Sequence, residues 1–469
     1  MTPLPAGTPS RPSIVRRRLL LSSLCAAVFA ATFAIRVHGI SHHFWLLGDQ
    51  IRDWGIALRP FRDLPLVGPP THVGGYTIGP AFYWILWLLR VVFGPWFHDL
   101  PHAGGIGQAA LQSGADVLLL VAIRKRTGST WLALAAIVIL ATAPFALSLA
   151  AVIWNPIVGS ILAETATALV LLDWPRRSLV RSGIVAAIAW CAVHAYTGAV
   201  FVALGIFAAL LVQPFADGAR RSLWKHAAVI GGVVVLLQVP YLVHQARAGS
   251  TQGGMSAVTD SMARVLSGSA QTRFHASADT YADAVNGIEA APWSVPACGW
   301  LLIVCGLLVA ARYRRDPALL AVILLPQVLA IAGFGFWLAG LDSYYYLSLM
   351  PAAVLTVLLG IRALLPRRAA EVVAMVLCAA ALVLAVPRVR AGHMFDMPQY
   401  AALVKGSSAI VSMGQPMRSV QTAFPLPPTA DPTFILRILG GRFDQKSPWA
   451  AVIQPDGRVT YTRDGAPVR

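Results

Sequence analysis

Charge is what this chain has least of. Only 12% of its 469 residues are Asp, Glu, Lys or Arg, against about 25% in an ordinary soluble domain, which excludes a string of soluble domains. The five cysteines, Cys25, Cys191, Cys298, Cys305 and Cys378, all lie in apolar runs and none forms a CxxC. They read as small membrane hydrophobes, neither a disulfide framework nor a thiolate metal site. Low-complexity tracts and an internal repeat pairing two halves are absent. So is any matched pair of short, Gly- or Pro-broken helices of the kind that points to a secondary transporter. His42, His43 and His72 show no metal-ligand spacing, so no cofactor is called for, while a divalent-ion requirement is not set by the sequence. No zinc-finger or RNA-binding motif accompanies the net charge of +17, and nucleic acid is not an expected partner.

Apolar sequence is what remains. Hydrophobic residues make up 57% of the chain and the mean hydropathy is +0.66. At roughly 20 apolar residues per crossing, the content supplies on the order of ten helices. Nineteen of the 37 basic residues fall in six groups, at 11 to 18, 124 to 126, 176 to 181, 220 to 225, 312 to 315 and 362 to 368. Each abuts an apolar segment, as the positive-inside rule expects of cytoplasmic loops. Arg16 to Arg18 followed by the apolar run Leu19 to Ile35 reads as a retained signal anchor.

If every basic group is cytoplasmic, an even number of crossings separates each from the next. That parity keeps 77 to 93, which Arg90 interrupts, out of the count as an interfacial or re-entrant segment. Spans are then expected near 19 to 38, 104 to 123, 129 to 151, 157 to 173, 183 to 197, 198 to 213, 226 to 246, 296 to 311, 318 to 338, 345 to 365 and 369 to 387, about eleven in all. The expected fold is an all-α polytopic membrane protein with a small extracytoplasmic α/β domain at its C-terminus. Residues 1–16 form a cytoplasmic tail, 17–387 the membrane domain and 388–469 the outer domain, with strand-like pieces at Val420 to Phe424 and Trp449 to Gln454. Two further pieces face outward, 39–103 and 247–295. The location is the inner (plasma) membrane, with the N-terminus cytoplasmic and the C-terminus outside.

The first outer loop carries the most chemistry. Ile51, Trp54, Leu58 and Phe61 recur at helical spacing, with Asp49, Arg52, Asp53, Arg59 and Arg62 on other faces, which predicts an amphipathic helix in the membrane interface. Asp49 opens that helix at the depth where a lipid head group meets water. By its position it is either a reacting carboxylate or the helix N-cap. Asp53 is expected to pair at the surface with Arg52 or with the helix N-terminus. Gly68 to Trp84 follows, with glycines at 68, 74, 75 and 79, able to bring backbone N–H groups close to an anion or sugar. Tyr76, Tyr83 and Trp84 suit an interface belt.

Taken in order, several motifs resemble the glycosyltransferase C superfamily, in particular its bacterial family-39-like, protein-mannosyltransferase-like enzymes. They are Gly48-Asp49-Gln50, the Gly68 to Tyr83 loop, Trp154-Asn155-Pro156, His194-Ala195-Tyr196-Thr197, and Tyr344 to Pro351. The likeness spans roughly residues 15 to 390. Many relatives carry Asp-Glu where this chain has Asp49-Gln50, and some have an acid near His244-Gln245. The resemblance implies a polyprenyl-phosphate-linked sugar as donor, an extracytoplasmic acceptor, transfer with inversion, and Asp49 as general base.

The chemistry is coherent with a single base. A phosphate-linked sugar already has a stable anionic leaving group, so it needs no second carboxylic acid of the glycosidase kind, whereas an acceptor hydroxyl needs a base within about 3 Å. The lipid phosphate calls for a cation, preferably Arg. Candidates are Arg52, Arg59, Arg247 and Arg264, with Arg62 and Arg273 behind them. His72, Tyr76, Asn155, His194, Tyr345 and Asp53 are candidates to position substrate. Asp116 and Glu164 fall inside expected helices, where ionisable groups are costly, and are given helix-to-helix or groove-lining roles. Two other classes fit the same residues less well: a lipid-linked saccharide flippase or other transporter, and a non-catalytic assembly partner.

Overall fold

A computed structural model describes residues 11–71, 74–150, 152–174, 178–216, 220–248, 253–287, 293–391 and 397–468. The chain is mostly helical. The long helix α1 (Arg11–Val37) leads to a single turn, α2 (Ile40–His43), and then to α3 (Gly48–Ala57). After the glycine loop come α4 (Ala81–Phe93), α5 (His102–Thr127), α6 (Thr130–Thr142), α7 (Pro144–Ser148), α8 (Asn155–Leu171), α9 (Leu179–Ala195), α10 (Val200–Ala216) and α11 (Arg220–Ala248). Two shorter helices, α12 (Gly253–Leu266) and α13 (Phe274–Asn286), precede α14 (Ser294–Arg312), α15 (Pro317–Ile323), α16 (Leu325–Gly335), α17 (Met350–Leu364) and α18 (Arg367–Ala391). The C-terminal part holds α19 (Tyr400–Ser412), β1 (Ser419–Thr422), α20 (Thr433–Ile438), β2 (Trp449–Ile453), β3 (Val459–Arg463) and β4 (Ala466–Val468).

Among the described residues, seven helical stretches are long and apolar enough to cross a membrane, and five more apolar helices are shorter. The seven are α1, α5, α11, α14, α15–α16, the stretch Ser343–Leu364 ending in α17, and α18. Four of the five shorter ones, α6, α8, α9 and α10, fall where further crossings are expected, and the fifth, Ala81–Phe97, is the segment set aside by parity. Two expected continuous spans are broken, at Ala143-Pro144 and at Leu324. In both, the following proline lacks an N–H and starts a new helix. Exposed Leu20, Phe29, Leu236, Leu307 and Val383 form the apolar exterior that only lipid accommodates.

One buried ion pair ties α1 to the bundle. Arg36 sits 2.6 Å from Asp116 on α5 and donates to Ser113 at 3.1 Å, with Arg36 4% and Asp116 0% exposed. Gln112 continues the chain to Glu164 on α8 at 2.7 Å. Thus Asp116 and Glu164 do join helices, through an Arg36 partner 80 residues from Asp116 that the apolar pattern of α1 concealed. Removing one member of a buried pair leaves an uncompensated charge, costing about 3–5 kcal/mol. Arg36→Met is therefore expected to lower the thermal unfolding midpoint sharply, and Arg36→Met/Asp116→Leu to recover most of the loss.

The 124–126 and 362–368 groups meet at one end of the bundle. Arg126 bonds Asp173 and Asp316 at 2.9 and 2.8 Å, and Arg367 bonds the Gly128 carbonyl. At 1.5 Å per residue α5 is about 39 Å long, so its Arg124 to Arg126 turn lies a membrane's width from its first turn. That first turn meets α3, Gly104 lying against the Trp54 ring, and the Trp54 indole donates to the Asp99 carbonyl at 2.7 Å just before α5. Arg90, in the last turn of α4, pairs through two bonds with Asp99.

The C-terminal part is an α/β unit with strand order β1-β2-β3-β4, β1 parallel to β2 and the rest antiparallel. The strand-like segments expected at 420 to 424 and 449 to 454 correspond to β1 and β2. This unit is not separate from the first loop. Phe44, Leu46, Trp54 and Phe82 share one core with Tyr400, Leu403, Phe434 and Leu436, and the His102 ring and the Tyr400 hydroxyl meet at 3.0 Å. Here the expectation for α3 is corrected. Its apolar face does not lie in the membrane interface, because Trp54 and Ala57 are fully buried in that shared core; burial against protein removes the same apolar area from water as burial in lipid.

Candidate active site

Helix α3 begins at Gly48 with Leu47 as its N-cap, and Leu47 offers no side-chain cap. The Gly48 N–H instead donates to the Thr429 hydroxyl of the C-terminal unit at 3.1 Å. Asp49 is therefore not the N-cap. It occupies the first turn, where the helix dipole favours a carboxylate, and its side chain is 55% exposed.

Arg52 lies one turn on and joins two carboxylates. Its Nη1 donates to Asp49 at 2.7 Å, while Nε and Nη2 donate to both oxygens of Asp53 at 2.8 and 3.0 Å. Asp53 also accepts from the Tyr83 hydroxyl at 3.0 Å. The Arg52–Asp53 pair was expected on the surface, but Asp53 is 1% exposed. It is affordable there because a bidentate guanidinium and a phenol satisfy it. Burial raises the Asp53 carboxyl above the usual range, and Arg52 and Tyr83 oppose that. Burial likewise works against the Arg52 charge, but Asp53 and Asp49 outweigh it and hold the guanidinium more firmly protonated than usual.

Asp49 and Arg52 open into a cavity of about 380 Å³. Its other walls include Pro70, Thr71 and Tyr76 to Ile78 from the glycine loop, Trp154 to Pro156 at the start of α8, Tyr196 to Gly198 after α9, Val200 and Phe201 on α10, Phe334 at the end of α16, Trp337 just after it, and Tyr344 and Tyr345 before α17. Residues up to 296 positions apart in sequence thus share one space, and the five motifs noted in the sequence all contribute walls or their supports. Asn155 reaches the cavity and ties α8 to α9 by donating to the Ala195 carbonyl at 3.0 Å. Trp154 and Tyr344 pack ring to ring at 4.8 Å between centroids.

The glycine loop is held from behind. Gly74 and Gly75 take φ of 90° and 73°, the left-handed region that glycine enters at no steric cost. Gly79 has no side chain because a Cβ there would collide with the His194 ring. His194 is fully buried, its Nε2 3.3 Å from Gln238 on α11, whose amide donates to the Ile78 carbonyl at 2.8 Å. His194 therefore supports the loop and does not line the cavity.

The other candidates are dispersed. Tyr345 is a buried cavity wall; Tyr76 is half-exposed at the cavity, its ring against His244 at 6.1 Å between centroids. Arg52 lines the cavity, whereas Arg59, Arg247 and Arg264 are exposed and are not among its walls. His72 lies outside the described residues. Among the described residues no three His, Cys, Asp or Glu side chains gather as a metal site. Trp337, which no motif in the sequence marks beyond its nearness to Tyr344, is a cavity wall whose buried indole N–H has no partner among the described residues.

No protein-family model matches this chain, and no curated protein sequence does either. Solved structures do resemble it. The archaeal oligosaccharyltransferase AglB from Archaeoglobus fulgidus, in complex with an inhibitory peptide and a dolichol-phosphate, superposes with a TM-score of 0.45 at 14% identity, covering 90% of this chain and 64% of that one. ArnT from Cupriavidus metallidurans, bound to undecaprenyl phosphate, gives a TM-score of 0.49 at 14% identity, covering 91% and 85%. This chain spans less than two thirds of the archaeal protein's length.

Proposed function

We propose that the chain is an integral-membrane glycosyltransferase that moves one sugar from a polyprenyl phosphate to an extracytoplasmic acceptor, a cell-envelope glycan, lipid or protein, with inversion. The observation that carries this reading is the convergence of Asp49, the glycine loop, Asn155 and the Tyr344–Tyr345 pair on one aromatic-walled cavity. Asp49 is the general base. The acceptor hydroxyl gives its proton to the Asp49 carboxylate as its oxygen bonds the anomeric carbon, and the bond from that carbon to the phosphate oxygen breaks. Polyprenyl phosphate leaves as an anion and needs no acid. Arg52 orients Asp49 through its Nη1 bond and presents its guanidinium toward the phosphate; Arg59, Arg247 and Arg264 stay phosphate candidates from outside the cavity walls. Tyr76, Asn155, Tyr345 and the segment around His72 position the sugar, and Asp53 and His194 act through the groups that they hold.

The topology belongs to the same reading. Eleven crossings within a membrane domain of 17–387 place the N-terminus in the cytoplasm and the 388–469 unit outside, at the inner (plasma) membrane. Reporter fusions after Arg126, Arg221, Arg315 and Arg368 are expected to read cytoplasm, and fusions after Gly75 and Gly414 outside. A cytoplasmic signal at Gly414 would overturn the count.

The donor class is tested by a polyprenyl phosphate carrying a photoreactive group beside the phosphate. Illumination of the purified protein is expected to label peptides bearing Asp49–Arg52, the 74–78 loop or Tyr344–Tyr345, and unlabelled polyprenyl phosphate to compete. Labelling confined to lipid-facing α14 or α18 would count against this cavity as the donor site.

A further inference from the structure

Gln50 is 1% exposed and both ends of its amide are occupied. Its Nε2 donates to the Trp45 carbonyl, and its Oε1 accepts the Ile153 N–H at 3.0 Å. Trp45 precedes α3, whereas Ile153 immediately precedes the cavity walls Trp154 to Pro156. One side chain therefore bridges two stretches of backbone 108 residues apart, and those stretches lead into two walls of the cavity: the α3 wall with Asp49 and Arg52, and the α8 wall with Asn155. The neighbouring strand of chain is fixed in the same way, Gln108 on α5 donating to the Val152 carbonyl at 2.8 Å.

We propose that Gln50 is a positioning residue that sets the distance between Asp49 and the α8 wall, and that its role requires a donor and an acceptor at once, so that an amide serves and a carboxylate does not. This rests on the transferase reading above. A carboxylate has two acceptor oxygens and no donor. At position 50 it would satisfy the Ile153 N–H but face the Trp45 carbonyl with a second negative atom, in a buried site where an unmade bond is costly. A protonated carboxyl has one donor and one acceptor and reproduces the amide. Burial raises a carboxyl pKa, so a Glu at this position is expected to act like Gln at low pH and to fail as pH rises through its folded-state value.

The charged groups around Gln50 do not supply the missing proton. Residues 44–47 and 149–155, which hold its two partners, contain none. On α3 itself Asp49, Arg52 and Asp53 are bonded to one another. His42 and His43 lie on α2, and on α5 His102 meets Tyr400 of α19.

The test compares Gln50→Glu and Gln50→Met with wild type in the full-length protein reconstituted in lipid. The readouts are transfer from about pH 5.5 to about pH 8 and amide hydrogen exchange of the peptide containing Ile153. The Gln50→Glu to wild-type activity ratio is expected to fall by about tenfold or more across that range, in kcat and with donor KM nearly unchanged, because misplacement by about 1 Å costs up to about 10²-fold. Gln50→Met, which lacks both bonds, is expected to be low at every pH and to lose protection at Ile153, while Gln50→Glu keeps it. A pH-independent ratio for Gln50→Glu, or wild-type protection of Ile153 in Gln50→Met, overturns the proposal. The exchange arm needs no turnover, so a wild type inactive with every donor would count against the transferase reading and leave the Gln50 bridge to be judged by exchange.

Discussion

Asp49→Asn is expected to abolish nearly all transfer while leaving the protein inserted, folded and able to bind donor. The variant keeps the side-chain size and an oxygen for the Arg52 Nη1, now bonded at 2.7 Å, but it has no basic site for the acceptor proton. The loss expected for removing a general base is about 10² to 10⁴. Because Leu47 and not Asp49 is the N-cap, capping does not enter the comparison and helix stability is expected to hold. Turnover at saturating donor, with donor binding measured separately, makes the distinction; near-normal turnover removes Asp49 from the chemistry.

Arg52→Met is expected to do more damage to the fold than to any one step of the reaction. It strands Asp53, a carboxylate 1% exposed, with the Tyr83 hydroxyl as the partner that remains from the present trio. Breaking such a pair costs about 3–5 kcal/mol, a large share of the stability of a marginally stable protein. Arg52→Lys recovers the charge but not the two-pronged geometry, so it is expected to fall between. The double variant Arg52→Met/Asp53→Leu, which removes the stranded charge, is expected to regain most of the unfolding midpoint and no activity. If Arg52→Met unfolds like wild type, the buried pair carries no stability and the guanidinium is free to serve the phosphate alone.

What the sequence disclosed and what it hid follow from the range of the interactions. Apolar runs of about 20 residues mark crossings locally, so the apolar helical stretches between α5 and α18 were legible, whereas α12 and α13, within the piece read only as an outer loop, were not; the short motifs that line the cavity could each be read in place. Pro144 and Pro326 were also visible, yet hydropathy alone joined the helices that they divide. The burial of Asp53 was not legible, because it depends on Tyr83 thirty residues away. Nor was the seat of α3: its apolar stripe looks the same whether lipid or protein covers it, and the cover comes from Phe434 and Tyr400 in the C-terminal unit. Arg36 was lost for the opposite reason. A single charge barely lowers the hydropathy of α1, and only its contact with Asp116 shows why it is tolerated.

The most direct measurement is turnover of a panel of polyprenyl-phosphate sugars by the purified protein in lipid nanodiscs, followed by mass spectrometry of the released lipid and the anomeric configuration of the product. The account predicts that at least one donor releases polyprenyl phosphate in the presence of an extracytoplasmic acceptor, that the anomeric configuration inverts, and that the Asp49→Asn protein releases none above background. Folded wild-type protein that releases polyprenyl phosphate from no donor, beside a glycosyltransferase that works under the same conditions, would contradict it.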